Sequence, residues 1–281
     1  MSRVASARRA LAERAAWIAA LAVLALLSLP VAYTAVFSLN AYTRSNLVWN
    51  PEGSPTWEHW ADPCGPAGLC DALGTSLRVA ALSTVLATVL GTLMAVALVR
   101  ARLRGRGALE VLLILPMATP DVVLGAGLLT LFVQGLSAVG VRLGEPSIVA
   151  AHVMLALSFV VVAVRARLEA LDPRLSEAAA DLYAGPLAAF RHVTLPLAAP
   201  GIAGAALLAF AISMDDVVLA TFVGGEATTF PRYVYVTALR GIPAEANVVG
   251  IAMALAALVA ALALRGAGRL RGRRTGRAAR Q

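Results

Sequence analysis

The chain contains no lysine, and all 24 of its basic residues are arginine. A phosphate-binding P-loop requires a lysine on the phosphates, so this chain has no such means of hydrolysing ATP. Histidine is scarce too: His59, His152 and His192 are far apart in sequence, and two cysteines alone make a poor metal site. Charged residues of both signs amount to 14% against 59% hydrophobic, and the mean hydropathy of +0.78 lies outside the range of soluble globular domains. What the sequence has in place of charge is long apolar runs.

A membrane span needs roughly 20 apolar residues. Six segments meet that length, at about Trp17–Leu39, Ala72–Val99, Leu109–Gln134, Ser147–Val164, Leu197–Phe222 and Asn247–Leu264. The expected class is an all-α membrane protein. Its parts are a terminus over 1–16, a first span over 17–39, a loop over 40–71, a five-span core over 72–264 and a basic tail over 265–281. The basic start followed by an apolar run is too long for a signal peptide and reads as an uncleaved span.

Arginine placement sets the orientation. Arg3, Arg8, Arg9 and Arg14 precede the first span, and Arg100, Arg102, Arg104 and Arg106 fill the loop after the second. Arg165, Arg167, Arg174 and Arg191 flank or enter a polar island near residue 180, and seven more occupy the tail from Arg265 to Arg280. Only Arg44, Arg78, Arg142, Arg232 and Arg240 fall on the other side. Both termini are therefore expected in the cytoplasm. A net charge of +8 would suggest nucleic acid in a soluble protein, but here the arginines are topogenic and suit anionic lipid. Cys64 and Cys70 share the 40–71 loop, on the oxidising side. A disulfide and two free thiols both fit that placement.

The polar island, Glu177–Pro196, reads EAAADLYAGPLAAFRHVTLP. Asp172 suits a helix N-cap and Pro173 a first helical position. A first helix then runs to Ala184, Gly185 ends it in a left-handed conformation, and Pro186 opens a second short helix closed by Leu195-Pro196. A helix-turn-helix at the base of a membrane bundle has the shape of a docking piece. Elsewhere, two prolines four apart, Pro116 and Pro120, break or kink the third span, and freed carbonyls must then meet protein or water. Asp121 follows them, about 18 Å up the helix from Leu109. Asp215 and Asp216 stand about 27 Å above Leu197. Intramembrane carboxylates are expensive and usually functional, with a structural cap as the competing role. Adjacent helical residues point about 100° apart, so Asp215 and Asp216 cannot form an aspartyl-protease dyad. One of them is free to face a pore while the other caps or pairs.

These motifs carry a resemblance. Glu177, Ala178, Ala179, Asp181, Leu195 and Pro196 fall at the spacing of the EAA loop of ABC-importer permeases. Where that family usually has glycine, this chain has Tyr183, with Gly185 two residues later. The Gly74–Ala80 stretch resembles the start of the permease core, and from there the resemblance covers roughly residues 73–262; the SMDDVV run at 213–218, the following Phe222–Gly225 and Pro243–Asn247 resemble more specifically the second permease of spermidine/putrescine importers.

The resemblance implies a transport subunit without enzymatic activity, with a coupling loop over about 168–196. It implies an ATPase dimer that binds the ATP, a second permease and an external solute-binding protein as partners, and no cofactor in this chain. It implies a bacterial inner-membrane location. The coupling residues would be Glu177, Ala178, Ala179, Asp181, Gly185, Leu195 and Pro196. The pathway residues would be Asp121, Asp215, Asp216, Tyr233, Tyr235 and Glu245, which suit a multiply charged cation, with the faces of Phe230, Tyr233 and Tyr235 for cation–π contact. The same architecture for ferric iron, a sulfur compound or a phosphonate stays open. So does an ion-coupled transporter, though that would not need the polar island.

Overall fold

The computed structural model describes residues 2–41, 48–101, 104–172, 174–238 and 241–278. Arg44, Arg102, Pro173, Arg240, Arg280 and Gln281 lie outside them. The described residues form helices joined by turns and irregular segments, with no strand among them. In chain order the helices are α1 (Ser2–Phe37), α2 (Glu58–Ala61), α3 (Leu69–Arg100), α4 (Arg106–Ala118), α5 (Asp121–Thr130), α6 (Glu145–Glu169), α7 (Arg174–Asp181), α8 (Pro186–Ala189), α9 (Leu195–Asp215), α10 (Val218–Val223), α11 (Phe230–Ala238) and α12 (Ala244–Ala278). The backbone falls into two compact units, residues 68–236 and the two flanking stretches together.

Among the described residues five helices are long and apolar enough to cross a membrane, and a sixth crossing is formed if α4 and α5 are one broken span. The two halves meet at 107°. Pro116 lies inside α4, and Pro120, which has no N–H to donate, sits just before α5. The proline pair thus produces a full break, larger than a kink.

In the 68–236 unit, α3 and α6 run parallel. Arg78 on α3 donates to both carboxylate oxygens of Glu145 at the start of α6, at 2.6 and 3.2 Å. Midway along, the chains close to backbone distance, since a Cβ added at Gly91 would sit 2.7 Å from Cγ1 of Val160. Lipid is as apolar as leucine, so such helices are held by close van der Waals packing, which small residues permit. Ala80, Ser83, Ala87, Gly91 and Ala95 form that small, buried stripe on α3. Helix α9 runs back the opposite way: Arg167 near the end of α6 donates to the Leu197 carbonyl at 3.0 Å. Ala87, Leu98, Val160, Val164, Ala198 and Ala205 make the shared core. A second core, around Val79, Phe132, Ile148 and Leu219, joins α5 and α10 to the other end of the bundle. Ser147 closes that end by donating to the Val223 carbonyl at 2.7 Å.

The fifth expected span differs from its sequence reading at both ends. Helix runs without interruption from Pro186 to Asp215, through a π-helical stretch at Phe190–Thr194. Leu195-Pro196 therefore closes nothing. The wider π turn leaves a place for a residue without an N–H, so Pro196 sits in the first turn of α9 at no cost in broken bonds. At the far end α9 stops at Asp215, and α10 is a separate short helix.

In the flanking unit, α12 packs beside α1 and α2. Apolar side chains of α1 such as Trp17, Leu21 and Leu27 are exposed, as lipid-facing residues are. Asn40 organises the loop after α1: its side chain donates to the Val48 carbonyl at 2.9 Å and accepts from the Asn50 N–H at 3.0 Å.

Candidate functional site: two helix breaks and a cytoplasmic turn

Two of the three intramembrane acids mark helix breaks from opposite sides. Asp121 is the first residue of α5, exposed, just after the α4–α5 break. Asp215 is the last residue of α9, exposed, and its carboxylate makes no hydrogen bond or ion pair among the described residues. The last carbonyls of a helix lack intrahelical partners, so the ends of α4 and α9 present negative dipole ends at these breaks.

Asp216 is spent differently. Its backbone is extended (φ −71°, ψ 121°), which ends α9. Its carboxylate turns forward to accept the N–H groups of Leu219, at 3.2 Å, and Ala220, at 2.8 Å, so it caps α10. The second oxygen also meets Nε2 of His152 at 3.1 Å, and Nδ1 of His152 lies 2.7 Å from Oγ of Ser213. His152 is 1% exposed, and the side chain of Asp216 is 7% exposed. Asp216 thus sits in a buried network, away from any exposed pathway surface. The residue types are those of a hydrolytic triad, but all three are buried and join α6 to the α9–α10 break. Sequence spacing could not find this network, because His152 stands 61 residues before Ser213. The one local signal was a histidine inside an apolar span.

Glu245 has a comparable fate. In the first turn of α12, it lies 2.9 Å from Nδ1 of His59, whose Nε2 faces the Asn40 carbonyl at 3.1 Å. The side chain of Glu245 is 15% exposed. Tyr235 on α11 is exposed and Tyr233 half-buried, whereas Phe230 is buried and its backbone N–H donates to the Ser76 hydroxyl. Cys64 and Cys70 are both disulfide-bonded.

At the opposite end of the 68–236 unit, the polar island is a helical turn with a cap at each end. Asp172 accepts the Arg174 N–H at 3.0 Å. After α7, the N–H of Ala184 bonds the Ala179 carbonyl at 3.0 Å and that of Tyr183 bonds the Ala180 carbonyl at 2.9 Å. This is the Schellman pattern, and its left-handed residue is Tyr183, with φ +59°. Gly185, expected to hold that position, is extended at φ −63°. The turn therefore falls where the resembling loops have glycine, with a tyrosine bearing the strain. Tyr183 is 98% exposed, and Leu182 and Leu187 are exposed beside it. Glu177, Ala178 and Asp181 are exposed on α7 as well, while Ala179 is buried.

Arginines lace this end together. Arg100 donates to the Thr194 hydroxyl, and its guanidinium lies 5.6 Å from the Phe190 ring centroid. Arg165 bridges Glu110 on α4, at 2.9 Å, and Glu169 on α6, at 2.8 Å. A cavity of about 750 Å³ separates the turn from the bundle, lined by Arg100, Leu168, Asp172, Leu175, Ala184 and Thr194.

Comparison with known proteins agrees with this layout. Residues 87–277 match the family model of the binding-protein-dependent transport system inner membrane component. The putrescine transport system permease protein PotI of Escherichia coli (strain K12) is 38% identical over 64% of this chain, a match that spans 65% of that protein's length. The spermidine/putrescine transport system permease protein PotC of the same strain is 35% identical over 86% of this chain and 89% of that protein. Among solved structures, a bacterial ABC transporter involved in import of the acidic polysaccharide alginate superposes with a TM-score of 0.61 at 18% identity, over 76% of this chain and 83% of that one. The MetNI methionine ABC transporter gives 0.53 at 19% identity, over 72% and 93%. A run of apolar helices broken at acids, an exposed polar turn at one end, and a family match over most of the core lead to one assignment: the chain belongs to the inner membrane components of binding-protein-dependent transport systems.

Proposed function

We propose that this permease moves polyamines such as putrescine and spermidine inward across the bacterial plasma membrane, with both termini in the cytoplasm. The reading rests on one structural observation beside its polyamine-permease relatives: exposed Asp215 at the open carbonyl end of α9. A carboxylate beside a helix C-terminus is a place for an ammonium group, and a poor one for an anion. Asp121 at the other break and Tyr233 and Tyr235 on α11 would complete the pathway for a long cation. Asp216 would support it from its buried pair with His152.

ATP is bound and hydrolysed by a separate ATPase dimer, which docks on the exposed face of α7 and the turn at Tyr183. A second permease and an external solute-binding protein complete the importer, and no cofactor resides in this chain. The testing experiment is polyamine uptake by the reconstituted importer with Asp215→Asn, which keeps the shape and removes the charge. Losing one charge-assisted contact in a partly wet site is worth on the order of 1–3 kcal/mol, so uptake falls roughly ten- to a hundredfold. Unchanged uptake would exclude this carboxylate from the pathway.

A further inference from the structure

Asp215 is flanked on both sides by residues that one buried histidine holds. Ser213 lies two positions before it and Asp216 one position after, and His152 bonds both. Along α9, two residues correspond to about 200° of rotation, so holding Ser213 against α6 turns Asp215 toward the opposite side of the helix. That matches its exposure. Asp216 fixes the break itself, since its carboxylate caps α10 while His152 ties the same carboxylate back to α6. Each ring nitrogen has a partner, so the imidazole cannot turn without losing a contact in a place where no water replaces it.

We propose that His152 is a positioning residue for transport: by clamping Ser213 and Asp216 it presents the Asp215 carboxylate to the passing cation. The inference rests on the reading of Asp215 as a cation site. His152 never touches the substrate and acts only through the two residues it holds.

The test uses the complete importer in proteoliposomes, with putrescine as the probe, and reads putrescine taken up per ATP hydrolysed. That ratio is insensitive to how much protein folds, so a merely structural loss does not move it. Asparagine at 152 places its amide near Nδ1 and drops the contact to Asp216, whereas glutamine reaches the Nε2 position and keeps it. His152→Asn should lower the ratio about tenfold and His152→Gln by no more than about threefold, as expected for losing or keeping one hydrogen bond to a charged group. Asp215→Asn should lower it at least as far, and Asp215→Asn with His152→Asn no further than Asp215→Asn alone, because the clamp then has nothing to present. A ratio unchanged by His152→Asn while Asp215→Asn lowers it overturns the inference and leaves the cation-site reading standing. Losses that multiply in the double variant overturn it in the same way. A ratio unchanged by Asp215→Asn overturns the cation-site reading and this inference with it.

Discussion

Nδ1 of His59 lies 2.9 Å from Oε1 of Glu245, joining α2 to the start of α12 inside the flanking unit. Both side chains are largely buried, so the pair works as a structural tie. Removing one partner strands the other, at a cost of about 1–3 kcal/mol. Glu245→Ala should therefore lower the unfolding midpoint and membrane abundance of the purified importer, while Glu245→Gln, which keeps a hydrogen-bonding partner for the ring, loses little. Uptake per ATP hydrolysed should be unchanged in both. A drop in that ratio with normal abundance would place Glu245 on the pathway instead.

The turn at Tyr183 separates two substitutions that sequence alone confuses. A side chain at Gly185 meets open space at an ordinary φ, so Gly185→Val should leave ATPase association intact. Tyr183 holds a left-handed backbone that disfavours a Cβ by roughly 1–2 kcal/mol, and branching at Cβ makes it worse. Tyr183→Ile should disturb the turn, and Tyr183→Gly should preserve it. Co-purification of the ATPase with each variant, at matched membrane abundance, gives the order Tyr183→Gly above Tyr183→Ile. Glu177→Lys, reversing an exposed charge on α7, should abolish co-purification while leaving the permease in the membrane.

The length of the apolar runs made the spans legible, and the proline pair at 116 and 120 made the break before Asp121 legible too, because both are local properties of the chain. Asp172 was legible as a cap for the same reason. The continuity of helix through Pro196 was not, since it depends on a π turn stabilised by Arg100 reaching Phe190 and Thr194 from another helix. Nor was the placement of Asp216 and Glu245 in buried pairs. A carboxylate in an apolar stretch looks the same whether it faces a pore or a histidine more than sixty residues away in sequence.

Packing between α3 and α6 offers a test that does not depend on function. A methyl group at position 91 would overlap Val160, and overpacking of this kind costs about 1–3 kcal/mol. Gly91→Ala should lower the thermal midpoint of the detergent-purified complex, and Val160→Ala in the same chain should restore much of it. Full stability of Gly91→Ala alone would mean that the two helices approach less closely than described.

Orientation can be read with reporters. A fusion after Arg104 should report the cytoplasm and an insertion beside Glu52 the exterior, as the excess of arginine on one side requires. A cytoplasmic signal at Glu52 would invert the chain and remove the turn at Tyr183 from the ATPase's reach.

The helix from Pro186 to Asp215 is 30 residues long, about 45 Å from end to end. One end carries the exposed turn and the other the exposed carboxylate, and between them the π turn at Phe190–Thr194 and Pro200 are the places where its bonding departs from the α pattern. Moved as one body, such a helix acts as a lever: a tilt of about 10° about its midpoint swings each end by about 4 Å in opposite directions. A push received at Gly185 would then reach Asp215 as displacement, without any signal passing from residue to residue along the way.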